Sequence, residues 1–93
     1  MTPSSINARR WRRYHLNLPV HVIVGQGSQR MAVSGRGTEL SRGGMALHAY
    51  LSLQPGDPIE VDFQTPSKLQ IAGIIRNRIG YRFGMEFLTP LLS

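Results

Sequence analysis

The 93-residue sequence contains no cysteine. That absence excludes a disulfide framework, a thiol nucleophile and a thiolate zinc site together. Lysine is almost missing too. A single lysine accompanies ten arginines, only five acids oppose these cations, and the formal net charge is +6. No run of about eighteen apolar residues exists, so no membrane-spanning helix is expected. The first residues are polar and then arginine-rich, with no apolar stretch before a cleavage site, and do not read as a secretory signal. These absences together make the cytoplasm the expected location. Hydrophobic residues nonetheless make up 41% of the chain, too many for a disordered polypeptide. A chain this short forms one domain and buries only about two thirds of its unfolded surface, so its core is modest.

The positive charge is concentrated. Arg9, Arg10, Arg12 and Arg13 fall within five residues, whereas from Tyr14 onward seven basic residues meet five acids. Arginine is the side chain suited to bidentate contacts with phosphates and guanine edges and to stacking on bases. The run Arg9-Arg10-Trp11-Arg12-Arg13-Tyr14 also abuts the first expected strand, which anchors it to the folded body. Residues 1–8 read as a flexible tail.

Beyond this segment the chain reads as strands. Pro19-Val20-His21-Val22-Ile23-Val24 is β-branched and opened by proline. Gly25-Gln26-Gly27-Ser28 is a turn. Arg30–Leu40 is a second strand interrupted by Gly35 and Gly37, which signal a bulge or a close approach. Ser41-Arg42-Gly43-Gly44 is a tight turn. Met45, Leu47 and Ala49 share one face of a third strand. Gln54–Pro58 is another turn. Ile59, Val61 and Phe63 then share a face against Glu60, Asp62 and Gln64. After Thr65-Pro66-Ser67 come two more alternating runs, Leu69/Ile71/Gly73/Ile75 and Tyr81/Phe83/Met85/Phe87, separated at Gly80. No segment has a helical period. Six short strands with near-regular turns imply a small all-β, six-stranded antiparallel barrel, whose closure removes exposed edges.

No catalytic constellation emerges. His15, His21 and His48 lie on different elements, without the spacing of a metal site, and no GxSxG or HExxH is present. Gly35 and Gly37 lack a following helix and a phosphate-binding lysine, so neither a Walker loop nor a dinucleotide fingerprint is formed. Catalytic and metal-ligating residues are therefore expected to be none. Glu39-Leu40-Ser41-Arg42-Gly43-Gly44 offers instead a carboxylate, a hydroxyl and glycine backbone in one turn. The carboxylate is suited to the N–H groups of a guanine edge. Ser41 can donate to a phosphate oxygen, and Gly43 and Gly44 let backbone N–H groups approach an anion.

Arg9-x-x-x-Arg13, followed after twenty-five intervening residues by Glu39-x-Ser41-x-x-Gly44, resembles the two-part pattern of PilZ domains, bacterial receptors for cyclic di-GMP. The closing Arg82–Phe87 run looks like that family's last strand. The resemblance covers about Arg9 to Leu88 and implies a six-stranded antiparallel barrel, in agreement with the strand reading. It implies a single domain over residues 9–93, with a flexible ligand-binding arginine segment at 9–14 and the barrel at about 18–88.

By the same resemblance Arg9, Arg10, Arg13, Glu39, Ser41, Gly43 and Gly44 bind cyclic di-GMP. Trp11, Arg36 and Arg42 are secondary candidates. The arginine segment would close over the ligand as a lid and present a new surface to an as yet unidentified protein partner. No cofactor beyond this ligand is implied, and the state is a monomer or a ligand-linked dimer. The sequence departs from the family twice. Glu39 stands where Asp or Asn is usual, and its extra methylene displaces the carboxylate by about 1.5 Å. Many members continue into a C-terminal helix, whereas little or no such helix is expected before Ser93. The alternatives are a degenerate interaction module that binds no nucleotide and, less favoured, a basic barrel for RNA or single-stranded DNA.

Overall fold

The computed structural model describes residues 12–64 and 68–91. It contains six strands: β1 (Tyr14–Val24), β2 (Met31–Leu40), β3 (Gly44–Ala49), β4 (Pro58–Phe63), β5 (Leu69–Ile79) and β6 (Arg82–Phe87). A short 3-10 turn at Gly27–Gln29 joins β1 to β2. The strands close into a barrel in the order β1-β2-β3-β6-β5-β4, and every pairing is antiparallel.

Strict alternation decides which residues fill the barrel. Met45, Leu47 and Ala49 point inward from β3, Ile59, Val61 and Phe63 from β4, and Phe83, Met85 and Phe87 from β6. Val20 and Val22 meet them from β1, and Ile71 and Ile75 from β5. Phe83 is among the fully buried side chains, and burying a side chain of its size contributes about 1.5–3 kcal/mol. β2 contributes glycines at two inward positions instead. A Cβ on Gly37 would lie 2.9 Å from Met45 Cε, and one on Gly35 would lie 2.7 Å from the His48 carbonyl oxygen. The close approach signalled by these glycines is therefore that of β3 and its side chains.

Two expectations need correction. β1 begins at Tyr14, and Pro19 lies within it rather than at its start. Pairing of β1 with β4 begins only at Val20, so Pro19 falls where the strand is an edge on one side, a position that tolerates a missing N–H. Tyr81 was expected on the inward face with Phe83, but β6 starts at Arg82 and Tyr81 is 49% exposed in the turn. The aromatics consequently divide by polarity. All three phenylalanines are buried and all three tyrosines are exposed. A tyrosine hydroxyl needs a hydrogen-bonding partner, and solvent supplies it at the turn.

Register shifts occur in three pairings, one between His15 and Leu18 of β1 and two along the strands that follow. In β2, Gly37 pairs with Leu47 but Glu39 pairs with Ala46, leaving Thr38 as an extra residue. In β5, Ile75 pairs with Met85 but Asn77 pairs with Gly84, leaving Arg76 as the extra residue. Ala46 and Gly84 are themselves paired across β3 and β6. The two bulges thus flank one level of a four-stranded face, β2-β3-β6-β5. Each resets the alternation, so that Glu39 and Asn77 point outward where an unbroken strand would turn them in.

Candidate functional site

Over this face lies an open groove of about 910 Å³. Arg13, Glu39 and Ser41 form one wall; Arg76, Asn77, Arg82 and Glu86 form the other. Gly43, Gly44, Ala46 and Gly84 lie between them. The shape follows from the sequence: small residues at the centre of β3 and β6 leave the depression, and the bulged strands carry longer polar side chains along its sides.

β1 brings Arg13, at the end of the arginine segment, to this groove. Its first residues pair with the end of β2, Tyr14 with Leu40 and His15 with Glu39, so Arg13 emerges directly beside Glu39. Arg13 Nη1 lies 3.5 Å from Glu39 Oε1, and His15 Nδ1 lies 4.0 Å from Oε2. Both distances exceed those of good charge-assisted hydrogen bonds. The Arg13 side chain is half exposed, at 52%, and an ion pair so placed contributes about 0–1 kcal/mol. It holds Arg13 near Glu39.

The turn after β2 is organised by one hydroxyl. Ser41 Oγ accepts the N–H of Gly43 at 3.3 Å and that of Gly44 at 3.2 Å. Its own O–H is within 3.3 Å of the Gly44 carbonyl oxygen, and the Ser41 N–H donates to that same oxygen at 2.9 Å. The two glycine amides are therefore directed at Ser41, and the hydroxyl hydrogen is itself turned back to the Gly44 carbonyl oxygen. A Cβ on Gly44 would collide with the Met85 carbonyl oxygen, which requires glycine there for β3 to lie against β6.

Arg13, Glu39, Ser41, Gly43 and Gly44 are thus brought to one groove. Arg9, Arg10 and Trp11 lie outside the described residues. Of the secondary candidates, Arg42 turns toward the C-terminal segment, where its Nε donates to the Leu91 carbonyl oxygen at 2.9 Å and its carbonyl accepts the Leu91 N–H. Arg36 lines a separate groove with His15, Thr38, Glu39, His48 and Arg82. Arg76, Asn77 and Arg82 in the far wall were not singled out from the sequence. Their trace was the polar run Arg76-Asn77-Arg78, which breaks the alternation of β5 where the bulge falls. Arg76 is paired with Glu86 through Nε and Oε1. Among the described residues no group of three or more histidine or acidic side chains is placed to hold a metal ion, and no helix is long and apolar enough to cross a membrane.

Comparison with known proteins bears on this arrangement. The family model described as PilZ domain matches residues 7–92. No curated protein matches the chain by sequence. Among solved structures, the barrel superposes on the PilZ domain of CeSA from a cellulose-synthesizing bacterium, with a TM-score of 0.68 and 22% identity, covering 86% of this chain and 83% of that one. It superposes on the PilZ domain of YcgR from Escherichia coli, solved with c-di-GMP, with a TM-score of 0.63 and 20% identity, covering 86% and 77%. The Bacillus subtilis inhibitor of motility MotI/DgrA gives a TM-score of 0.65 at 17% identity, covering 89% of this chain but 43% of that protein. At these identities the likeness is one of fold.

Proposed function

The chain belongs to the PilZ domain family, and from that premise we propose that it is a receptor domain for cyclic di-GMP. One observation carries the reading: Arg13, Glu39, Ser41 and Gly44, separated by up to thirty residues, line the same groove. The YcgR domain, which shares this fold, was solved with that nucleotide.

The chemistry of the groove suits the ligand part by part. A phosphodiester exchanges the weak partner Glu39 for its own negative charge and takes the Arg13 guanidinium in a two-point contact. Since the exposed Arg13–Glu39 pair contributes about 1 kcal/mol at most, its loss is readily offset. Glu39, released, turns an oxygen to the N–H groups of a guanine. The Ser41 hydroxyl, already accepting two amides, exchanges its long bond to the Gly44 carbonyl for a phosphate oxygen, and that carbonyl keeps the Ser41 N–H. Arg9 and Arg10 supply further cations from the segment before β1, and the ligand draws that segment over the groove. The extra methylene of Glu39 is accommodated by the Thr38 bulge, which sets where the carboxylate leaves the strand.

Isothermal titration with cyclic di-GMP, with GTP and cyclic di-AMP as controls, tests the proposal. Selective, saturable binding is expected. Arg9→Ala and Arg13→Ala should each weaken it by about 1.5 kcal/mol or more, roughly tenfold. Wild-type affinity in both variants would remove these arginines from the site. An absence of heat with the wild-type chain would leave an interaction module without a nucleotide.

A further inference from the structure

A second feature of the outer surface is independent of this groove's ligand. Arg36 pairs with His48 across β2 and β3, and His48 pairs with Arg82 across β3 and β6. All three are exposed. Directly opposed side chains on neighbouring strands stand about 5 Å apart at Cβ, so two guanidinium groups flank an imidazole in a row about 10 Å long. No acid interrupts this row. Arg13, Arg30 and Arg76 are each matched to a glutamate, whereas neither Arg36 nor Arg82 has an ion pair with any described residue. Glu39 shares the groove of about 350 Å³ that the row lines, but it is three residues beyond Arg36, about 10 Å along β2, and faces Arg13 and His15.

Aromatic rings lie beside the row's central member, next to the groove's lining. The Tyr50 ring meets His48 edge-on at 5.4 Å between centroids, and Tyr81 meets Tyr50 at 5.1 Å. Tyr50 is 74% exposed, so these rings are held by one another at the surface and not by the core. Guanidinium groups suited to a phosphate, next to exposed aromatic faces suited to a base, are the two halves of nucleotide recognition.

We infer that the groove bounded by Arg36, His48 and Arg82 is a second site, which binds the phosphate of a nucleotide with its base against Tyr50 and Tyr81. A free mononucleotide and a single-stranded nucleic acid present the same chemistry. Arg82 lines both grooves, so the test rests on Arg36 and His48, which line only this one.

The test is a titration of the full chain with GMP, followed through its backbone amide resonances, with guanosine and a tetranucleotide in parallel. The amides of Arg36 and His48 should move saturably with GMP and far less with guanosine. Arg36→Ser, whose spectrum away from the row shows it folded, should weaken GMP binding by about tenfold, the effect of one lost charged contact. Tighter binding of the tetranucleotide through the same amides assigns the source to a strand, and equal or weaker binding assigns it to the free nucleotide. Shifts confined to residues 41–44, no saturable shift, or an Arg36→Ser affinity matching the wild type would overturn the second site. None of these readings depends on whether cyclic di-GMP binds the first groove.

Discussion

Glu39 holds Arg13 loosely on one oxygen, with the His15 ring 4.0 Å from the other, and Ser41 accepts two amides. The two residues therefore respond differently to removal. Glu39→Ala ends a weak exposed pairing, so stability to urea should change by less than about 1 kcal/mol. Its affinity for cyclic di-GMP should fall about tenfold, because a contact to a charged group is lost only in the complex. Calorimetry and urea denaturation on the same sample separate the two effects. Ser41→Ala removes the acceptor of two half-buried N–H groups, and here stability itself should drop by about 1–2 kcal/mol. At this scale the sequence was legible where a residue type carries its chemistry wherever it is placed. Arg13, Glu39 and Ser41 were named from type and spacing together with the resemblance to PilZ domains, and they line one groove. The internal use of the Gly43 and Gly44 amides was not legible, since only the closed turn shows which acceptor they reach.

The bulges at Thr38 and Arg76 govern the elements. Each adds one residue to one strand and turns the next polar side chain outward, and no period in a single strand reports on the register of its neighbour. The alternation of β3, β4 and β6 was plain because their inward positions are filled by large apolar side chains. That of β2 was obscured because its inward positions are Gly35 and Gly37. The extension of β1 back to Tyr14 was hidden for a related reason. Its first half pairs only with β2, and although Leu16 and Leu18 continue the alternation of Val20 and Val22, they are only partly buried and Pro19 reads as a strand start. Gly44 is the residue on which the β3–β6 ladder depends. Gly44→Ala places a Cβ against the Met85 carbonyl oxygen, and the resulting displacement should cost about 1–3 kcal/mol, as overpacking does. Chemical denaturation measures this, and unchanged stability would show that the two strands separate without penalty.

For the molecule as a whole, six strands close around a core in which Phe83 is fully buried. The barrel was expected from turn spacing and alternation, because one small domain with six strands has few other ways to cover its edges. Phe83→Ala should remove about 3–5 kcal/mol. For a chain whose total stability is on the order of 5–15 kcal/mol, that leaves a marginal fold with an early thermal transition. Ligand binding acts in the opposite sense. At a free concentration of a hundred times Kd it adds about 2.7 kcal/mol. In a domain of this size each kcal/mol raises Tm by about 4–8 °C, so cyclic di-GMP should raise it by about 10 °C or more.

The central claim is that a groove built by two bulges and a serine-organised turn receives cyclic di-GMP. An amide-resolved titration of the full chain with that nucleotide tests it most directly. The account predicts saturable shifts that include the amides of Glu39, Ser41, Gly43, Gly44 and Gly84, together with new, slowly exchanging signals from the arginine segment at residues 9–13. A spectrum that stays unchanged at millimolar ligand, or shifts only on the opposite face of the barrel, would contradict it.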